Sequence, residues 1–165
     1  MTLVRGKGGS GDHIRARAPE AAKSRAMSRQ RTRDTAPELA VRQRLHALGY
    51  RYRVDHRPVP DLRARGDLVF TRARVVVFVD GCFWHRCPLH ATSPRHNGAW
   101  WQAKLDANVA RDRATDRRLA DAGWRVVRIW EHEPPENAVA RIRAVLKAAL
   151  GPPRSAPRAG APPRP

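Results

Sequence analysis

Apolar residues recur through the middle of the chain at spacings that predict seven elements in the order α-β-β-β-α-β-α. The first helix begins near Thr35, which can cap it, and ends at Gly49, a residue type that is common just after helices. Val41, Leu45 and Leu48 fall on one face between these two points. These three residues are therefore predicted to form the apolar face of the first helix.

Three strands are predicted after this helix. Tyr50, Tyr52 and Val54 alternate with arginines, a pattern typical of a strand with one solvated face. Continuous apolar runs predict two further strands over residues 66–71 and 75–80, with a loop over residues 55–66 before them.

The last two of these strands form a predicted hairpin. With the turn centred between Ala73 and Arg74, Asp67 lies directly opposite Asp80. Opposed side chains point to the same face with Cβ atoms about 5 Å apart, so two carboxylates there repel unless a cation lies between them.

A polar loop over residues 91–98 separates the hairpin from a long helix over residues 99–122, which ends at Gly123. One stripe of this helix carries Trp101, Leu105, Asn108 and Asp112. A strand over residues 124–130 follows. The last helix is marked by Val139, Ile142, Leu146 and Leu150. This order predicts an α/β fold of two or three layers around a mixed sheet.

Composition divides the 165 residues into three parts. Residues 1–33 and 151–165 are basic or Pro-rich and contain few large apolar residues, so both are expected to be disordered around a folded domain of residues 34–150. Met27 is an alternative start. The net charge of +18 favours a nucleic-acid partner, although a genomic bias toward arginine codons would also produce it.

Neither a membrane span nor a signal peptide is evident, which predicts a cytoplasmic protein. Because disulfides rarely persist there, metal binding or catalysis is the better use for the two cysteines. Cys82, Cys87 and His90 lie within nine residues, and His132 is the best candidate for a fourth ligand of a tetrahedral zinc site. The alternative is two free cysteines beside surface histidines.

Acidic residues and one further histidine suggest a second metal site with hydrolytic chemistry. The carboxylates of Asp67 and Asp80 suit Mg²⁺, which prefers oxygen ligands. His85 is either a zinc ligand or a general base that activates water. Glu38 either joins the site or only caps its helix, and Asp112 either joins it or pairs with a neighbouring arginine.

Aromatic residues cluster beside these acids in a strongly basic chain. Phe83, Trp84, Trp100 and Trp101 either stack on or wedge between bases, or belong to the core. Trp124 and Trp130 alternate along a strand and are assigned to the core.

Several motifs occur in a fixed order: GCFWH at residues 81–85, WQAK at 101–104, NVARD at 108–112 and GWRVVRIWE at 123–131, preceded by MSR at 27–29 and DTAPE at 34–38. In this order they resemble the very-short-patch repair (Vsr) endonucleases over about residues 27–135. The resemblance implies a restriction-endonuclease-like fold of the PD-(D/E)xK type, in which helices flank a mixed central sheet and a structural zinc site is present.

The same resemblance implies a Mg²⁺-dependent enzyme that nicks double-stranded DNA on the 5′ side of the T in a T:G mismatch, the product of 5-methylcytosine deamination. It is expected to act as a monomer, associated with the bacterial nucleoid in the cytoplasm, with other repair proteins as further partners. Two alternatives are a general or restriction-type nuclease of the same fold and a zinc-stabilised DNA-binding module that does not cut.

The resemblance also implies roles for individual residues. The reaction would use Asp67 and the Val79 carbonyl as Mg²⁺ ligands, Glu38 and Asp80 as holders of metal-bound waters, His85 as catalytic base and Asp112 as the residue that orients it. The DNA wedge would be Phe83, Trp84 and Trp101. The structural zinc would be held by Cys82, Cys87, His90 and His132.

The chain departs from the family pattern at several of these positions. Gly66 stands where the best-known pattern has proline before the metal-binding aspartate. Asp80 replaces a histidine, Val79 a threonine and His132 a cysteine, and the zinc ligands of the loop are shifted in spacing. Val79 would act through its carbonyl, and thiolate and imidazole both bind zinc, so these changes are compatible with the implied roles.

Overall fold

The computed structural model describes residues 33–92 and 97–151. Its elements follow the predicted order: α1 (Ala36–Ala47), β1 (Arg53–His56), β2 (Gly66–Phe70), β3 (Val75–Asp80), α2 (Gly98–Asp121), β4 (Arg125–Trp130) and α3 (Pro135–Leu150). The predicted disordered extensions lie outside the described residues apart from Arg33 and Gly151, as do the alternative start Met27 and residues 93–96 of the polar loop.

The four strands form one mixed sheet in the order β1-β2-β3-β4. The first three strands are antiparallel, whereas β3 and β4 are parallel and are joined through α2. Parallel neighbours end at the same edge of a sheet, so β3 ends at Asp80 beside the end of β4 at Trp130. Since β2 begins at this edge with Gly66 and Asp67, the edge carries two aspartates and is called the acidic edge below.

Helices cover both faces of the sheet, which makes the fold three-layered. On one face α1 and α3 contact each other and the sheet. Their cluster includes Leu45, Leu68, Val77, Ile142 and Leu146. On the other face α2 packs through Leu119, in a second cluster that includes Leu62, Val69, Val76 and Trp124. The central strand β3 supplies both clusters and is buried on both faces, which explains its continuous run of valines.

The apolar faces of α1 and α3 are shorter than predicted. Val41 and Leu45 are buried in α1, but Leu48 lies beyond its end and is 51% exposed. Likewise Leu150, the last residue of α3, is 52% exposed. Both predictions were wrong at the same place, because the buried part of each helix stops before its C-terminal end. Within the described residues, no helix has the length and apolar character needed to cross a membrane.

The first strand begins later than the alternating pattern predicts. Tyr50 and Tyr52 precede β1 and pack edge-on against Phe70, with ring centroids 6.4 and 5.6 Å away. The backbone amide of Tyr50 still donates to the Leu45 carbonyl as part of the helix C-terminus, so the chain has not yet entered the sheet. Val54 lies in the strand but is exposed.

The hairpin register also differs from the prediction. Phe70 pairs with Val75 across a four-residue turn, which ends at Arg74 in the left-handed conformation with φ 51°. The turn is therefore centred one residue earlier than predicted, and the residues of β2 that pair with β3 begin at Leu68, opposite Val77, so the predicted pairing of Asp67 with Asp80 is not found. Asp80 is nevertheless near enough to Asp67 for its charge to raise the pKa of Asp67, although burial of Asp67 is the larger cause of that rise.

Candidate active site

Three carboxylates meet at the acidic edge. Asp67 is half-buried and accepts a hydrogen bond of 2.7 Å from the backbone amide of Val79. Burial raises the pKa of Asp67 to about 6; the Val79 hydrogen bond opposes this rise, and the charges of Glu38 and Asp80 add to it. Buried acids that repel one another are typical of a site that a cation neutralises.

Glu38 reaches this edge from the first turn of α1. Its side chain is buried and forms an ion pair of 3.0 Å with Arg42, one turn further along the helix. Arg42 also lowers the pKa of Asp67 by its charge, and its backbone carbonyl accepts a hydrogen bond of 2.7 Å from Tyr52. Glu38 is thus held by a buried arginine beside Asp67, a contact that goes beyond capping.

His85 lies in the loop after β3 and faces two aspartates. Its Nδ1 is 2.5 Å from Asp112 Oδ2 and 3.8 Å from Asp80 Oδ1. A carboxylate can only accept, so Nδ1 carries a proton, and in the neutral ring Nε2 is the nitrogen with the free lone pair. The predicted helix stripe is confirmed here, since it brings Asp112 to His85 and lets Asn108 Nδ2 donate to the Trp84 carbonyl at 3.3 Å.

The sequence reasoning missed Arg128, which lies between these acids. Its Nη1 donates to both oxygens of Asp80 at 2.8 and 3.0 Å, and its Nη2 lies 3.4 Å from Asp112 Oδ1. Its Nε and Nη2 donate to Asp116 at 3.0 to 3.1 Å. Burial opposes the charge of Arg128, but the three aspartates outweigh it and raise its pKa. The available signal was a charged residue in the middle of the apolar strand β4.

The predicted zinc residues come together at the end of the sheet. One ligand atom from each of Cys82, Cys87, His90 and His132 lies within 4.8 Å of all the others. The His132 Nδ1 is 3.0 Å from Cys82 Sγ and 3.7 Å from Cys87 Sγ, and Cys87 Sγ is 3.8 Å from His90 Nδ1. Zinc bond lengths and tetrahedral angles put such sulfur and nitrogen atoms about 3.6 Å apart, so the donor set fits a closed tetrahedral site.

Electrostatics at this cluster also favour a cation. Burial raises the pKa of the Cys82 thiol to about 11, and the neighbouring Cys87 and Glu131 add to the shift. A bound cation would reverse this effect by stabilising the thiolate. Glu131 was another residue that the sequence reasoning did not assign; its Oε1 accepts a hydrogen bond of 2.6 Å from the Cys82 amide and fixes the start of the loop.

The aromatic residues form a cluster beside His85. Phe83 lies 5.1 Å from Trp84 and 5.4 Å from Trp101, measured between ring centroids, and all three are half-buried. Trp100 is 57% exposed and its ring faces Lys104 Nζ at 5.2 Å. Trp130, assigned to the core from the sequence, is instead half-buried and stacked on His132 at 6.4 Å.

Comparison with known proteins agrees with this arrangement. A family model described as DNA mismatch endonuclease Vsr matches residues 18–90. The type II nicking enzyme V.NaeI of Lentzea aerocolonigenes is 48% identical over 124 residues, which cover 74% of this chain and 75% of that protein. The DNA mismatch endonuclease Vsr of Escherichia coli K12 is 38% identical over 114 residues, covering 68% of this chain and 70% of that protein.

A third relative, the type II nicking enzyme V.XorIIP of Xanthomonas oryzae, is 41% identical over 124 residues, covering 73% of this chain and 88% of that protein. Together with the mixed sheet and its acidic edge, these similarities define the class of the protein as a DNA endonuclease, a hydrolase. Within that class the chain belongs to the Vsr family of DNA mismatch endonucleases. The resemblance stated from the motifs is confirmed, and the four-stranded mixed sheet between helices is consistent with the nuclease fold of that family.

Proposed function

We propose that this protein is a Mg²⁺-dependent endonuclease that nicks double-stranded DNA on the 5′ side of the T in T:G mismatches. The observation that carries the proposal is the hydrogen-bonded pair of His85 and Asp112, with Asp80 near both His85 and the half-buried carboxylate of Asp67. A general base combined with a cation site suits phosphodiester hydrolysis. The relatives include a DNA mismatch endonuclease and a nicking enzyme, which support the substrate and the single-strand cut.

The magnesium would be held at the acidic edge by the Asp67 carboxylate and the Val79 backbone carbonyl. Glu38 and Asp80 would hold waters around it, and the oxygen-only donor set suits this metal. When bound, Mg²⁺ supplies charge stabilisation for the phosphate during hydrolysis. Arg42 keeps Glu38 in place for this role through the buried ion pair.

His85 is the proposed catalytic base. Because Nδ1 donates to Asp112, the lone pair of Nε2 is available to take a proton from the attacking water. Asp112 orients the ring and stabilises the imidazolium that forms. The bond of 2.5 Å is of the charge-assisted kind, which fixes the ring more firmly than a neutral hydrogen bond would.

Phe83, Trp84 and Trp101 are the proposed wedge that enters the duplex next to the mismatch. They are mutually packed, and Trp84 is joined through its carbonyl to Asn108 of α2, so the wedge and the base sit on the same support. Unstacking one base step costs a few kcal/mol, and a mispaired step is the least costly. This difference supports selection of mismatched over matched DNA.

Structural zinc is the proposed occupant of the four-residue cluster formed by Cys82, Cys87, His90 and His132. The zinc would connect the loop after β3 to the residues that follow β4. This connection would hold His85, which lies in that loop, in place. The proposed working form is a cytoplasmic monomer with residues 34–150 as the endonuclease domain between basic extensions, residues 1–33 and 151–165. Double-stranded DNA is its partner, attracted by the net charge of +18, and other repair proteins are further partners.

The test uses purified protein and Mg²⁺ with an end-labelled duplex that carries one T:G pair, beside a T:A duplex of the same sequence. A nick 5′ to the mismatched T, found only in the T:G duplex and lost in Asp67→Ala, is the expected result. Asp61→Ala, which removes an exposed acid from the loop before β2, is the matched control and should still cut. Equal cutting of both duplexes would favour a restriction-type nuclease, and binding without cutting a non-catalytic module.

A further inference from the structure

Arg128 stands at the centre of a charge network that links β3, β4 and α2. The sheet register pairs it with Phe78, so its side chain rises on the face that is covered by α2. There it contacts Asp80 at the end of β3 and Asp112 and Asp116 on α2.

The two carboxylates near His85 make a role for Arg128 in the reaction necessary. Asp112 and Asp80 both lie on the Nδ1 side of the ring, at 2.5 and 3.8 Å. Nδ1 has one proton to donate, so the two acids compete for it. An Asp80 freed to move toward His85 would draw the ring away from Asp112 and bring two negative charges together.

Arg128 removes this competition. Its Nη1 engages both oxygens of Asp80, whereas the contact with Asp112 involves only Oδ1 and leaves Oδ2 to His85. The Nε and Nη2 groups of Arg128 donate to Asp116 and fix the guanidinium in place. The guanidinium carbon Cζ lies 4.8 Å from the centroid of the Phe78 ring. The guanidinium has five donors in a planar fork, so it can make more than one bond to each of Asp80 and Asp116 and still reach Asp112, whereas the ammonium of lysine has only three donors and no fork.

We propose that Arg128 is a positioning residue that selects the partner of His85, holding Asp80 back so that Asp112 alone accepts the Nδ1 proton. Asp116 acts as the anchor that keeps Arg128 in this orientation. The inference rests on the proposed function, because it gives Arg128 its effect on the rate through His85. Asp80 retains a second lone pair on each oxygen, so it can still hold water while it is bonded to Arg128.

The decisive measurement is the proton resonance of His85 Nδ1–H in ¹⁵N-histidine-labelled protein. A short bond to a carboxylate places this signal far downfield. Arg128→Met, which keeps an apolar stem over Phe78, should shift the signal upfield and broaden it. In the double variant Arg128→Met/Asp80→Asn the competing charge is gone, and the signal should return to its wild-type position.

Cleavage kinetics provide a second readout. Arg128→Met should lower the single-turnover rate at saturating T:G duplex by at least about tenfold, while duplex affinity changes little, because only the base is misplaced. Arg44→Met is the matched control, since Arg44 is also ion-paired, to Glu136 on the far side of the sheet, and this variant should keep its wild-type rate and resonance.

An unchanged His85 resonance in folded Arg128→Met would overturn the inference, as would a failure of the double variant to restore the signal. If Arg128→Met does not fold, Asp116→Asn is used instead. The same upfield shift of the His85 signal would then support the inference, and an unchanged signal would overturn it. If the wild-type protein cuts neither duplex, the proposed function fails, but the resonances still decide whether Arg128 selects the partner of His85.

Discussion

Replacement of Asp67 by asparagine is expected to abolish cleavage and, at the same time, to stabilise the magnesium-free protein at neutral pH. Asparagine has almost the same shape, and its oxygen can still accept the hydrogen bond from the Val79 amide. What it removes is a carboxylate charge that is partly buried and repelled by Glu38 and Asp80. The residue proposed to bind the metal is therefore expected to reduce the stability of the empty site.

The magnitude follows from the pKa of this group. Burial, and to a lesser degree the neighbouring acids, raise the pKa of Asp67 from 3.8 to about 6. At 1.36 kcal/mol per unit, ionisation of Asp67 costs the folded state about 3 kcal/mol. Because the folded pKa is the higher one, this cost is absent below pH about 4, develops as the pH rises through about 6, and is complete near pH 8.

The assay is urea denaturation of zinc-loaded protein in magnesium-free buffer. At pH 8 the variant should be more stable than wild type by about 3 kcal/mol, and the difference should shrink toward zero at pH 4. Added Mg²⁺ should stabilise only the wild type. Asp61→Asn, in an exposed loop position, should show neither effect. A variant that is less stable at pH 8, or a difference that does not depend on pH, would refute the reasoning.

Three further predictions follow from the site and the fold. His85→Ala should slow cleavage of the T:G duplex by about 10²- to 10⁴-fold, the usual contribution of a general base, with duplex affinity almost unchanged in a binding titration. Cys87→Ser should contain little zinc when its zinc content is measured with a colorimetric chelator. Its Tm should fall by roughly 5–10 °C in a thermal scan. Gly66→Ala should lower the free energy of unfolding in urea by about 1–3 kcal/mol, because its Cβ would come within 2.3 Å of Val76 Cγ2 and 2.9 Å of Val69 Cγ2.

Each of these predictions has a control variant or an outcome that would contradict it. His46→Ala removes an exposed histidine on α1 and should leave the rate unchanged, so a loss there would point to a general effect of histidine removal. A Cys87→Ser protein with full zinc content would contradict the proposed ligand set. For Gly66→Ala the control is Gly98→Ala, where no atom lies within 4 Å of the new Cβ, and equal stability of the two variants would contradict the steric explanation.

The element order and the helix stripe were predictable because both rest on local periodicity. Leu105 is buried and Asp112 meets His85, as the spacing along α2 predicted. The central strand was equally clear, since a run of apolar residues flanked by turns has few alternative structures. Membership of the Vsr family could also be inferred, because several motifs of the chain occur in the same order as in that family.

The hairpin register could not be predicted in the same way. It depends on whether Arg74 adopts a left-handed conformation, which arginine has no intrinsic preference to do, and the contact that accompanies it is distant in sequence. Arg74 Nη2 donates to the Ala122 carbonyl at the end of α2, 48 residues away. Arg128 was missed for a related reason, because its three carboxylate partners become neighbours only after the sheet and α2 have packed together.

The spacing of Trp101 and Asp112 along α2 limits which insertions and deletions related proteins can accept. Trp101 and Asp112 are eleven positions apart on one continuous helix, so they are separated by a rise of about 16 Å and share a face. One inserted residue would turn Asp112 through about 100° away from His85. Natural variants should therefore accept many substitutions on the solvent side of this helix but no insertion or deletion between these two positions.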